Sequence, residues 1–182
     1  MLRFLIVLLL LTLPLSIFAG CSPAEKSYRT PEQAFAAANV RSKGIIKKVE
    51  LTDGAIIFYR GSNNDAGVGL ARKYDGNWKW VMGSGMVNAS NEPVSFSWAN
   101  LDRMKESGQG YHLFWGSVNN DEIKKLHIAD DNGQDLNEDA ILFDSGLGFR
   151  IWYAISTDYY GTTPGINATG YDKEGKVVYQ ND

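Results

Sequence analysis

The feature that most constrains this chain is an alternation of apolar and polar residues that begins near Ile45 and is broken at intervals by turn residues. Val49 and Leu51, for example, alternate with Lys48 and Glu50. Successive side chains of a strand point to opposite faces of a sheet, so this period predicts half-buried antiparallel strands and a mainly β, sandwich-like fold. We expect strands at 45–51, 55–59, 67–72, 78–81, 94–98, 111–115, 123–128, 140–143, 149–156, 166–171 and 177–180.

One short helix is predicted in front of these strands. Thr30 fits the N-cap position, Pro31 the first helical position and Gln33 the capping-box position. The alanine-rich segment 34–38 follows, and we expect the helix to end within 39–44.

The balance of charge argues against one class of partner. Lys and Arg number 18 and Asp and Glu number 21 in the 182 residues, and Arg3 is the one charged residue among the first 20. The rest of the chain is mildly acidic, whereas nucleic-acid-binding proteins neutralise phosphates with a basic face. We therefore predict no nucleic-acid partner. From its length, we also predict that segment 30–182 forms a single globular β-rich domain.

The first twenty residues predict a secretory signal peptide. Arg3 supplies a short positive start, and residues 4–18 carry no charge, over a length typical of a signal peptide and too short to span a bilayer comfortably. Residues 17–21 read Ile-Phe-Ala-Gly-Cys and resemble the lipobox of bacterial lipoproteins, although Phe18 stands where that family usually has Leu. The resemblance implies that residues 1–20 are removed and that Cys21 is joined by a thioether bond to diacylglycerol, whose acyl chains include palmitate.

A lipidated Cys21 implies a location. We expect anchoring to the cell membrane on its extracytoplasmic face, because two or three acyl chains hold a protein stably at a bilayer. The rest of segment 21–29 is a polar tether, which spans about 16 Å if flexible. The chain also resembles small uncharacterised lipoproteins of Gram-positive bacteria, through its helix, its hairpins and a terminal strand–DxxGK–strand unit at 168–179. That resemblance brings no catalytic or ligand-binding motif.

An internal similarity leaves two interpretations open. Segment 46–53 matches segment 123–130 at four of eight positions, and segment 55–58 then matches 140–143. A degenerate duplication would give two related β modules, 30–92 and 93–182. Alternatively, shared period-two patterning produces part of the match by itself.

Residues that commonly carry chemistry are sparse. His112 and His127 form no HExxH or i, i+4 pair, and a lone cysteine rules out a zinc–thiolate site. No GxSxG sequence is present. The acidic segment 130–139 departs from the spacing of a calcium loop, and we expect a solvated insertion there. We therefore predict no metal, no cofactor and no catalytic residue.

Aromatic residues are the other enrichment. Trp78 and Trp80 share one face of a strand, as do Phe96 and Trp98, which is the pattern of a sandwich core.

Two tyrosines depart from that pattern. Tyr159 and Tyr160 lie in the expected loop 156–165, where no alternation explains them. They are predicted either to bind a sugar or peptide, or to fold back over the edge of the sandwich.

Three functions are consistent with these features. We expect a non-enzymatic binding or accessory lipoprotein at the cell envelope, with an unidentified protein or glycan partner. The alternatives are a cell-wall or glycan hydrolase that uses Asp and Glu, and a structural partner of a membrane complex. A cleft with two close carboxylates would favour the hydrolase, and a flat aromatic patch would favour the structural partner.

Overall fold

The computed structural model describes residues 28–101, 112–130, 136–156 and 165–181. In these ranges one helix, α1 (Pro31–Ala37), precedes the strands. The strands are β1 (Gly44–Glu50), β2 (Gly54–Arg60), β3 (Ala66–Tyr74), β4 (Asn77–Val87), β5 (Ser97–Asn100), β6 (His112–Val118), β7 (Lys125–Asp130), β8 (Asn137–Asp139), β9 (Ile141–Asp144), β10 (Arg150–Ser156), β11 (Ile166–Tyr171) and β12 (Val177–Gln180).

The strands form three four-stranded sheets. The first sheet has the order β1-β2-β3-β4, the second β5-β6-β10-β9 and the third β12-β11-β7-β8. All strand pairs within them are antiparallel. The prediction of a mainly β, sandwich-like fold with one short helix is therefore confirmed. No helix in the described part of the chain has the length and apolarity to cross a bilayer.

Helix α1 begins where the sequence predicts. The Thr30 side chain accepts a hydrogen bond from the backbone N–H of Gln33 at 3.2 Å, and the Gln33 side chain accepts one from the N–H of Arg29 at 3.1 Å. The first bond satisfies an N–H donor that a helix start would otherwise leave unpaired, and the second joins the residue before the N-cap to the first turn. Phe35 then packs on the outer face of the first sheet, with its ring centroid 5.2 Å from that of Tyr59 and 5.1 Å from that of Trp80.

Two hydrophobic cores separate the three sheets. The first core lies between the first and second sheets and includes Phe58, Trp115 and Tyr153. The second core lies between the second and third sheets and includes Trp152 and Leu126. The order of layers is therefore α1, first sheet, second sheet and third sheet.

Strand β6 shows why the second sheet occupies the middle. Leu113 and Trp115 belong to the first core, whereas Phe114 and Val118 belong to the second. All seven residues of the strand are buried. Apart from His112 and Ser117 the strand is free of polar side chains, as a strand covered on both faces requires.

Local turn chemistry sets the hairpins of the first sheet. Asp75 and Gly76 both have positive φ, 47° and 81°, as the two-residue turn between β3 and β4 needs. At the same end of the sheet Arg72, 2% exposed, donates to the Asp53 carboxylate at 2.8 Å. This ion pair ties the end of β3 to the turn between β1 and β2.

The segments that match in sequence occupy different positions in the sheets. Strands β1 and β2 pair with each other in the first sheet, whereas β7 lies in the third sheet and β9 in the second. Strand β7 pairs instead with β8 and β11. The sheet topology is therefore not repeated, and shared alternation is the interpretation that agrees with it.

Candidate functional site

The predicted site residues Cys21, Tyr159 and Tyr160 lie outside the described residues. His112 is buried on β6, and His127 is half-buried on β7.

His127 belongs to a charged group on the outer edge of the third sheet. Its Nδ1 lies 3.2 Å from Oδ1 of Asp139, while the Lys125 ammonium lies 2.9 Å from Oδ2 of the same carboxylate. The hydrogen bond from Lys125, with a smaller contribution from His127, holds the pKa of Asp139 below its usual value. This ion pairing joins β8 to β7. The structural role is enough to explain why these three side chains lie together, with no catalytic role needed.

The acidic segment only partly follows its prediction. Asp130 is buried at the end of β7, and residues 131–135 lie outside the described part. The expectation of a loop throughout is wrong for Asn137–Asp139, which forms the short edge strand β8. The segment forms a strand because backbone pairing with β7 outweighs its low β-propensity, and its charged side chains suit an exposed edge.

Phe96 and Trp98 line an open cleft of about 260 Å³ with Ser97 and Ile166; we call it the aromatic cleft. The Phe96 ring meets the buried Trp152 edge-on, with 5.7 Å between ring centroids. Phe96 and Trp98 are only half-buried against the second core, so the prediction that they belong to the core holds for one side of each ring.

Ile166 of the aromatic cleft comes one residue after Gly165, where the described chain resumes, and β10 ends at Ser156. Tyr159 and Tyr160 lie between Ser156 and Gly165 in the sequence, outside the described residues.

A second cleft, the cationic cleft, has a volume of about 380 Å³. The Arg60 guanidinium donates to the backbone carbonyl of Gly146 at 3.1 Å, and the Lys43 ammonium donates to that of Ser62 at 2.8 Å. Lys43 and Arg60 are 17 residues apart in sequence, and Asp144 lies much farther along the chain. No local sequence motif therefore indicates that these residues line the same cleft. The lining residues are Lys43, Gly44, Ile45, Ile46, Arg60, Asp144, Ser145 and Gly146.

A third cleft, the mixed-charge cleft, has a volume of about 450 Å³ beside the hairpin of β11 and β12. The Asp172 carboxylate accepts hydrogen bonds from the backbone N–H groups of Glu174 at 3.0 Å and Lys176 at 2.8 Å. Gly175, in the same turn, has a φ of 84°. Asp172 therefore shapes the turn. The lining residues are Asp121, Glu122, Lys124, Asp172, Lys173, Glu174, Lys176 and Val178.

Comparison of the chain with protein-family models, curated proteins and solved structures gives no match. Within the described ranges, no group of three or more His, Cys, Asp or Glu side chains is arranged to hold a metal ion. The chemistry of the three clefts is therefore the basis on which a function is proposed.

Proposed function

We propose that this protein is a lipid-anchored lipoprotein on the extracytoplasmic face of the cell membrane, where its β domain acts as a non-enzymatic binding or accessory protein. The lipobox-like residues before Cys21 support the location. The observation that carries the binding role is the aromatic cleft, which presents Trp98 on β5, an outermost strand of the second sheet, and Phe96 directly before that strand.

The physical basis for binding is the fixed position of these rings. Strand β5 pairs with β6, and the register places Trp98 opposite the fully buried Phe114. Behind Phe96, the Trp152 indole N–H donates to the Ser95 carbonyl at 2.9 Å, which holds the supporting ring. Rings held in this way offer apolar area at little entropic cost, and a glycan or peptide gains by stacking on them.

The test of the binding role uses soluble cell-wall glycopeptide fragments as the probe, with isothermal titration calorimetry as the measurement, because its signal does not depend on Trp98 itself. We expect saturable binding heat with the native protein and its loss in Trp98→Ala. Trp78→Ala is the matched control, since Trp78 is also half-buried but packs on the α1 side of the first sheet. Unchanged affinity in Trp98→Ala, or an equal loss in both variants, would contradict the proposal.

The hydrolase remains a second candidate because the mixed-charge cleft gathers carboxylates, including Asp121 and Glu122. However, Lys124 and Lys176 line the same cleft, and the Asp172 carboxylate is already bonded to backbone N–H groups of its own turn. We expect no clearing of peptidoglycan in a gel activity assay. Clearing that Glu122→Gln abolishes would instead establish the hydrolase.

A further inference from the structure

The cationic cleft lies where the first and second sheets meet at one end of the sandwich. Lys43 precedes β1, Arg60 ends β2, and Asp144 ends β9. Strands β1 and β9 are outermost in their sheets, and the pairing of β1 is irregular between Ile45 and Lys47, beside the cleft. Irregularities of this kind redirect side chains and are frequent next to functional sites.

Two positive groups in the cationic cleft have no carboxylate within ion-pair distance among the described residues. Arg60 and Lys43 donate to backbone carbonyls instead, those of Gly146 and Ser62. A carbonyl positions such a group without neutralising it, and both groups keep further N–H donors. Asp144 also lines the cleft, and its Oδ1 accepts the Gly146 N–H at 2.8 Å.

Backbone conformation keeps one wall of the cleft free of side chains. Gly44 has a φ of 131° and Gly146 a φ of 66°, and both favour glycine. A Cβ at Gly146 would lie 3.3 Å from the terminal nitrogen of Arg60. The guanidinium therefore lies beside bare backbone, with space for a ligand in front of it.

We propose that the cationic cleft binds a phosphate group through Arg60 and Lys43. The planar guanidinium matches two phosphate oxygens with parallel N–H donors, and Lys43 adds a compact positive charge. A doubly charged phosphate gains from both cations more than a singly charged carboxylate does. The volume of about 380 Å³ exceeds that of one ion, so an ester fits with its organic part against Ile45 and Ile46.

The test uses the full-length protein in maltoside micelles, which contain no phosphate, at constant ionic strength. The probe is inorganic phosphate, and the readout is the backbone NMR signals of Gly44 and Gly146. We expect saturable shifts in the native protein. Arg60→Gln and Lys43→Gln should each weaken the affinity about tenfold or more, since each removes a charge-assisted hydrogen bond. Lys43 is exposed, so its variant tests the site even where removal of the Arg60 guanidinium affects folding.

Two further variants separate the site from general surface charge. Asp144→Asn keeps the Oδ1 acceptor for Gly146 and removes a negative charge from the cleft, so affinity should rise about threefold. Lys73→Gln is the matched control and should leave the affinity for phosphate unchanged. Lys73 is also exposed, but it lies near the end of β3, whereas Arg60 pairs with Ala66 at the start of that strand.

Glycerol phosphate and phosphatidic acid, which both carry a phosphate monoester, are added separately to the micelles and distinguish the source of the phosphate. Tighter binding of the lipid assigns a headgroup, tighter binding of the soluble ester assigns a free metabolite, and either supports the site. The absence of saturable shifts with every probe would overturn it. Shifts that persist unchanged in both Arg60→Gln and Lys43→Gln would also overturn it.

Discussion

Gly116 shows how a single residue fixes the approach of two chain segments. A Cβ at this position would overlap the backbone carbonyl of Ser95 and lie 2.6 Å from the indole nitrogen of Trp152. The segment before β5 therefore packs against β6 only because residue 116 has no side chain. The Ser95 and Ser117 hydroxyls, 2.7 Å apart, join the same segments.

Gly116→Ala should consequently destabilise the domain. We expect a loss of about 2–4 kcal/mol in the free energy of unfolding, because the methyl group would overlap the Ser95 backbone and the buried Trp152 ring, neither of which is the free end of a flexible side chain. Urea denaturation followed by tryptophan fluorescence measures it. Gly175→Ala is a contrasting variant, since a Cβ there meets nothing within 4 Å and only the positive φ of 84° opposes it. A smaller loss in Gly116→Ala than in Gly175→Ala would contradict the packing argument.

Cys21 is the residue on which the proposed location depends. Cys21→Ser should abolish labelling of the protein by radioactive palmitate and stop removal of residues 1–20, because the thioether needs sulfur. Ser22→Ala is the control and should be labelled and processed normally. Unchanged mass and membrane partition of Cys21→Ser would rule out the anchor.

Among the elements, α1 shows how much a few local bonds contribute. The N-cap bond from Gln33 to Thr30 and the bond from Arg29 to Gln33 form within five residues of sequence. The helix has only seven residues, so its stability depends on this cap and on the packing of Phe35 against the first sheet.

Thr30→Ala should cost about 1 kcal/mol of stability, the usual value of an N-cap. Thermal unfolding followed by circular dichroism measures the change. Thr30→Ser, which keeps the hydroxyl acceptor, should restore most of it. If alanine and serine gave the same melting temperature, the cap would contribute nothing measurable.

The third sheet shows how an element can be joined to the molecule through one face. Leu126 and Ile128 of β7 are fully buried in the second core, while Lys125 on the same strand is exposed. In β1, Val49 likewise alternates in sequence with charged residues. Its side chain, however, is only partly buried, at the margin of the first core.

The whole molecule should unfold as one unit, because the second sheet supplies one side of each core. Leu126→Ala should cost about 3–4 kcal/mol and Val49→Ala about 1–2 kcal/mol, since the cost rises with the buried apolar volume that each truncation removes. Urea unfolding measured by both fluorescence and far-ultraviolet circular dichroism should show one coincident transition for each variant. Separate transitions in Leu126→Ala would show that the third sheet unfolds independently.

The features that could be predicted from the amino-acid sequence are local ones. Period-two alternation predicted a strand at or near each observed one except β8, and Thr30 with Gln33 predicted the helix start. Each of these depends on residues close together in the chain, whose backbone preferences and hydrogen bonds act regardless of the rest of the fold.

Tertiary structure alone decided which strands share a sheet and which side chains meet. Alternation cannot tell whether the second face of a strand meets water or another sheet, nor which of several similar strands it pairs with, because pairing is decided by long-range packing. The match between segments 46–53 and 123–130 was therefore compatible with two topologies. For the same reason the cationic cleft, which brings Lys43 and Arg60 to Asp144, could not be predicted from a sequence in which nothing links them.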